Sequence, residues 1–144
     1  IESQPYLSKL DNLRILIAED HPVNQRLLRE LLLKFGYKAD LVQNGIEAFE
    51  AIVKKDYDLV FMDVQMPEMD GMTAARLIHQ MLHQESIPYM VAVTAFVQPG
   101  FQQQCLHSGM QDYIAKPISE SDIRRVILDP EHKLRDFLSN RQVI

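Results

Sequence analysis

Asp20, Asp63, Thr94 and Lys116 each stand at or just past the end of a short apolar run, and the first run closes on an acidic pair, Glu19-Asp20. If those runs are neighbouring strands of one parallel sheet, three carboxylates, a hydroxyl and an ammonium meet at its carboxyl edge, where open α/β folds bind ligands. That mixture suits a divalent cation and a phosphoryl group. Phosphate is repelled by bare carboxylates, so a phosphoryl group beside Glu19 and Asp20 requires a bridging Mg²⁺, a hard cation that takes oxygen ligands. Asp63 next to such a cation could attack phosphorus, because the cation neutralises the repelling oxygens. Lys116 could pair with Asp63 at rest and with a phosphoryl oxygen afterwards, while Thr94 offers a hydroxyl donor at the parallel position. Taken singly, each has a plainer reading: a helix cap for the acidic pair, a turn for Asp63, a solvated surface for Lys116 and strand packing for Thr94. Their recurrence at successive strand ends favours the site.

The elements that must position these groups alternate. Apolar runs over 13–18, 58–62, 89–93 and 112–115, with a short strand over 38–42, are separated by segments of helical periodicity, which predicts βαβ units and a parallel sheet. Pro22 suits a first helical turn, Leu27, Leu28, Leu31, Leu32 and Phe35 form its apolar stripe, and Gly36 ends it. Asn44-Gly45 turns the chain into a second helix, with Ile46, Phe49, Ile52 and Val53 expected on its inner face. A third helix is expected over 72–83, a weaker one to Ser108 that Gly109 closes, and a fifth from Ser119, whose spacing to Asp122 reads as a capping box. Five βα units with right-handed crossovers make a doubly wound, flavodoxin-like sheet of order 2-1-3-4-5. The expected organisation is an N-terminal linker over 1–12, one domain over 13–128 and a C-terminal extension over 129–144, helical over 131–140.

Composition narrows the function classes. A chain of 144 residues fits one domain with a real core. A formal net charge of -5 argues against direct nucleic-acid binding, which needs a basic face. The single cysteine, Cys105, excludes an internal disulfide and makes the cytoplasm the default compartment, with the thiol packed as a small apolar group. No apolar stretch approaches the ~20 residues of a membrane span. A start at Ile1 fits a domain excised from a longer chain, whose parent could be membrane-bound. No dinucleotide or P-loop glycine motif is present. His79 and His83 are read as a solvated pair, and Met66, Met69 and Met72 as loop and core packing.

The segments Ile17-Ala18-Glu19-Asp20, Met62-Asp63-Val64-Gln65-Met66-Pro67-Glu68-Met69-Asp70-Gly71, Val93-Thr94-Ala95 and Lys116-Pro117 resemble, in order and spacing, the signature blocks of response-regulator receiver domains. Pro22-Val23-Asn24-Gln25 and Cys105-Leu106 before Ser108-Gly109-Met110 resemble the receivers of hybrid histidine kinases and multistep phosphorelays. The resemblance implies that Asp63 is the phospho-acceptor, that Glu19, Asp20, Asp63 and the Gln65 backbone carbonyl bind Mg²⁺, and that Thr94 and Lys116 contact the phosphoryl oxygens. It also implies a cis Lys116-Pro117 bond and a conformational switch through Thr94 and Tyr113. The expected donor is a histidine-phosphotransfer domain or histidine kinase, docking over the start of the first helix at Val23, Asn24 and Leu27. Such a module catalyses only its own phosphorylation and dephosphorylation. Phe96 and Gln65 depart from the usual pattern of the family, and the resemblance implies that both positions flank the path of a hydrolytic water. Two other classes share part of the pattern. A flavodoxin-like redox carrier would need hydroxyls where Glu19-Asp20-His21-Pro22 is acidic, and an aspartate-nucleophile phosphatase would carry a second Asp where Gln65 stands.

Overall fold

The computed structural model describes residues 12–95 and 97–141, so nearly all of the expected linker, and Phe96, lie outside the described residues. Five strands, β1 (Ile15–Ala18), β2 (Ala39–Val42), β3 (Leu59–Asp63), β4 (Tyr89–Thr94) and β5 (Asp112–Ala115), form one parallel sheet of order 2-1-3-4-5. Between and after them run α1 (Pro22–Lys34), α2 (Gly45–Lys54), α3 (Gly71–Met81), a 3₁₀ turn (Gln84–Ser86), α4 (Phe101–Ser108), α5 (Glu120–Ile127) and α6 (Lys133–Arg141). This is the doubly wound architecture expected from the alternation of runs.

The central strands are buried on both faces, and successive side chains enter opposite cores, as the two-residue period of a strand demands. Ile15, Ile17, Leu59, Phe61, Tyr89 and Val91 face α1, α5 and α6. Leu16, Ala18, Val60, Met62, Met90 and Ala92 face α2, α3 and α4, where Cys105 is buried as a small apolar group. Four of the helices start on a side-chain cap, with His21 Nδ1 accepting from the Val23 N–H at the start of α1. Asn44 accepts from the Glu47 N–H, Asp70 from Thr73, and Ser119 forms a capping box with Asp122.

The inner face of α2 differs from its expected stripe. Ile46 and Val53 are 40% and 55% exposed, and the helix instead buries Gly45, Ala48 and Ile52. The reason lies at Gly45, whose N–H donates to the Met69 carbonyl at 2.9 Å. A Cβ there would stand 2.5 Å from that same oxygen. Small residues let α2 press against the β3–α3 loop, and this rotates the larger apolar groups outward.

The C-terminal extension carries α6. Leu134 and Leu138 are buried in the same core as α1 and α5, and Phe137 packs edge-on against Tyr89 at a centroid distance of 5.4 Å. Arg141 ends the helix at the amino edge of the sheet, donating to the carbonyls of Tyr57 (2.8 Å) and Ile87 (3.2 Å) and to Asp58 Oδ1 (2.6 Å). Asp58 is also held by Arg14 through its backbone N–H and its guanidinium.

Candidate functional site

Strand register brings the polar residues together. Ala18 pairs with Met62, Asp63 with Val93, and Thr94 with Ala115. Glu19, Asp63, Thr94 and Lys116 are therefore carried to successive tips along the carboxyl edge, each one position beyond or at the last paired residue. Glu19, Asp63 and Thr94 are buried, while Asp20 is exposed beside them. One carboxylate oxygen from each of Glu19, Asp20 and Asp63 lies within 4.8 Å of the other two.

Lys116 closes the group from the β5 side. Its Nζ is 2.9 Å from Asp63 Oδ2 and 3.1 Å from Glu19 Oε1, and its backbone N–H donates to the Thr94 carbonyl at 2.7 Å. The Lys116-Pro117 peptide is cis. Three carboxylates facing one ammonium leave a net charge of about -2, the complement of a divalent cation, and an all-oxygen donor set is what Mg²⁺ requires. The electrostatics record the imbalance. Burial, and next the charge of Asp63, push the Glu19 carboxyl above its usual range even against its bonds to the His21 N–H and Lys116. Burial works against the Lys116 ammonium, but Asp63 and Glu19 outweigh it and raise its pKa.

The β3–α3 loop completes the wall. The Gln65 N–H donates to Asp63 Oδ1 at 3.1 Å, and Gly71 N–H to the Val64 carbonyl at 3.0 Å. Gly71 has no tolerance for a side chain, because a Cβ would stand 2.3 Å from the Asp63 carbonyl oxygen. An open cleft of about 530 Å³ runs from Asp20 along Gln65, Met66 and Pro67 to Met72 and Arg76. Tyr113, on β5, is half-buried with its ring edge-on to Phe101 at 5.6 Å.

The structure thus brings Glu19, Asp20, Asp63, Gln65, Thr94 and Lys116 into one cluster. Val23 lies beside it on α1, 67% exposed, with Asn24 half-buried. Leu27, one turn further along α1, is half-buried. It packs against the core between α1 and the sheet, because its helical spacing to Leu28 and Leu31 points it inward. His79 and His83 are both exposed, as read, and His79 Nε2 also lies 2.8 Å from the Gly109 carbonyl, tying α3 to the turn before β5. Two residues at the site, His21 and Gln25, make contacts that the sequence did not signal. The His21 N–H donates to Glu19 Oε2 at 3.0 Å, and the Gln25 side chain donates to the Glu19 carbonyl.

Comparison with known proteins gives the same outline. The family model described as response regulator receiver domain matches residues 15–128. The signal transduction histidine-protein kinase BarA of Escherichia coli (strain K12) is 38% identical over 129 residues, covering 90% of this chain and 14% of BarA. The chain thus spans about one-seventh of that relative's length. The crystal structure of the receiver domain of sensor histidine kinase PA1611 from Pseudomonas aeruginosa PAO1, with a magnesium ion coordinated in its active-site cleft, superimposes with a TM-score of 0.74 at 32% identity, covering 87% of this chain and 98% of that one. A co-crystal structure of the Saccharomyces cerevisiae histidine phosphotransfer protein Ypd1 with the receiver domain of its response regulator Ssk1 matches with a TM-score of 0.74 at 28% identity, over 81% of this chain and 87% of that one.

Proposed function

The chain belongs to the response regulator receiver family, and from that premise we propose that Asp63 accepts a phosphoryl group from phosphohistidine. The observation that carries this reading is the contact of Lys116 Nζ with Asp63 Oδ2 at 2.9 Å, inside a cluster of three carboxylates at the sheet edge. Glu19, Asp20, Asp63 and the Gln65 carbonyl would hold Mg²⁺, which when bound screens the carboxylates from the incoming phosphoryl oxygens. An Asp63 carboxylate oxygen attacks phosphorus in line. The P–N bond of the donor breaks, its electron pair stays on the imidazole nitrogen, and an acyl phosphate forms on Asp63. Lys116 then exchanges its contact with Asp63 for a phosphoryl oxygen, and Thr94 donates its hydroxyl to another. Thr94 and Tyr113 act as the switch, since the phosphoryl group binds Thr94 differently in the two states.

The donor is a helical histidine-phosphotransfer domain or a histidine kinase, docking over exposed Val23 and half-buried Asn24 at the start of α1. The module catalyses only its own phosphorylation and dephosphorylation, as the cytoplasmic receiver of a longer hybrid kinase, with the receiver proper over 13–128 and α6 appended. In support, no helix among the described residues is long and apolar enough to cross a membrane. The test is mass spectrometry after incubation with a small phosphodonor and Mg²⁺. One phosphoryl group should appear on the wild type, and none on Asp63→Asn or in excess chelator. Wild-type phosphorylation of Asp63→Asn would overturn the assignment.

A further inference from the structure

The three carboxylates of the cluster are not held alike. Glu19 accepts from Lys116 and the His21 N–H, and Asp63 from Lys116 and the Gln65 N–H. The Asp20 carboxylate is exposed and, among the described residues, has no hydrogen bond or ion pair. Its position is therefore set by its backbone alone.

Gln25 holds that backbone on both sides. Its side-chain amide donates to the carbonyl of Glu19, immediately before Asp20. Its main-chain N–H donates at 2.9 Å to the carbonyl of His21, immediately after. The second bond is the ordinary first-turn contact of α1, whereas the first reaches back out of the helix. A carbonyl acceptor requires the NH₂ end of the amide, so the donor is unambiguous. The His21 side chain adds a third tie, with Nδ1 accepting from the Val23 N–H at 3.3 Å. The Glu19-Asp20-His21 loop is thus clamped to the start of α1, and the one clamp made by a removable side-chain donor is Gln25.

We propose that Gln25 is a positioning residue for the cation: by bracketing the Asp20 peptide it fixes the one ligand carboxylate that nothing else orients, and so sets the affinity for Mg²⁺. The proposal rests on the reading that Glu19, Asp20 and Asp63 hold the ion. Gln25 is neutral and need not touch the ion, so its effect is geometric. Groups that orient metal ligands from behind typically change affinity about 10–100-fold when removed. A single hydrogen bond to a loop backbone belongs at the lower end of that range.

Gln25→Met keeps the length and the charge and removes the donor, and Gln25→Ala removes donor and stem together. In the full chain, isothermal titration calorimetry with Mg²⁺ should show both variants binding about tenfold more weakly. The same shift should appear in the Mg²⁺ dependence of phosphorylation by a small donor, with the rate recovered at high Mg²⁺. Melting in chelator gives the contrasting readout: a merely structural role lowers the melting temperature and leaves the Mg²⁺ affinity unchanged, and that result overturns the proposal. So does a wild-type chain that binds no Mg²⁺, or a loss confined to one variant when both fold. If only one variant folds, it decides, and if neither folds, Gln25 holds the fold rather than the ion. A wild type that binds Mg²⁺ yet is not phosphorylated on Asp63 would sink the proposed function, while the affinity comparison would still decide Gln25.

Discussion

Replacing Arg141 with alanine should destabilise the protein by about 2.5 kcal/mol, although the residue stands about as far from the site as the sheet allows. Its side chain is 7% exposed and makes three charge-assisted bonds, to Asp58, Tyr57 and Ile87. At about 1.5 kcal/mol each, less about 2 kcal/mol of side-chain entropy recovered on deletion, the loss is near 2.5 kcal/mol. For a chain of this size that lowers the melting temperature by about 5–10 °C. Asp58→Ala should cost more, about 3–5 kcal/mol, because it leaves the buried Arg141 guanidinium with no carboxylate. Arg14→Ala should cost least, since Arg14 is 48% exposed and leaves Asp58 still paired with Arg141. The assay is urea unfolding followed by far-UV circular dichroism. Burial alone would raise the Asp58 pKa, but its bonds from Arg14 and the charge of Arg141 outweigh it and hold the carboxyl below its usual range. A lowered folded-state pKa means the contribution is complete above the unfolded value of about 3.9 and is lost as pH falls through the folded one. The difference in stability between wild type and Asp58→Asn should therefore be flat at neutral pH and shrink only below about pH 4. A loss under about 1 kcal/mol for Arg141→Ala, which after the recovered entropy leaves room for no more than two such bonds, would refute the reasoning. Equal stability of the full chain and a chain ending at Leu128 would do the same for the docking of α6.

Three further outcomes are expected. Lys116→Met should leave two buried carboxylates facing each other without their ammonium, lowering stability in chelator by about 3 kcal/mol, the low end for a broken buried pair because Lys116 is one-fifth exposed; thermal melts should show Mg²⁺ restoring more stability to this variant than to the wild type, and no such excess would contradict the charge count. Thr94→Ala should still be phosphorylated by a small donor yet fail to shift the Tyr113 NMR signals as the wild type does, and a normal shift at equal phosphorylation would move the coupling elsewhere. Val23→Asp should slow transfer from a histidine-phosphotransfer protein at least tenfold, about 1.4 kcal/mol of transition-state stabilisation, with small-donor phosphorylation intact; equal loss with both donors would mean that the site itself was damaged.

Much of the site was legible because strand tips are local features. An apolar run followed by Asp, Thr or Lys can be read without knowing which strands are neighbours, and β4 and β5 have the expected bounds. What failed to show were contacts between distant segments. The α2 stripe of Ile46, Phe49, Ile52 and Val53 has helical spacing, but a pattern of apolarity does not register that Gly45 and Ala48 permit the closer approach. The Arg141–Asp58 pair joins residues 83 positions apart and has no spacing that sequence could reveal. Gln25 stands in the Pro22-Val23-Asn24-Gln25 segment that carried the resemblance, but its contact escaped, since a glutamine in a first helical turn is ordinary until its amide is found on a loop carbonyl.

The two edges of the sheet argue for function more strongly than the identity of any single residue. Both carry buried carboxylates and cations. At the amino edge, Asp58 faces two guanidinium groups, its pKa is depressed, and the cluster is saturated by side-chain and backbone partners. Its charges stabilise the fold as it stands. At the carboxyl edge, Glu19 and Asp63 share one ammonium while Asp20 adds a third carboxylate, and the Glu19 pKa is raised rather than lowered. An ion cluster built only to hold a fold gains nothing from an unmatched negative charge in a buried place, where unmatched charge is expensive. The imbalance is what a site kept for a divalent cation needs before the cation arrives. Two clusters of the same residue types, at opposite ends of the same strands, thus differ in charge balance, the property on which the proposed cation site rests.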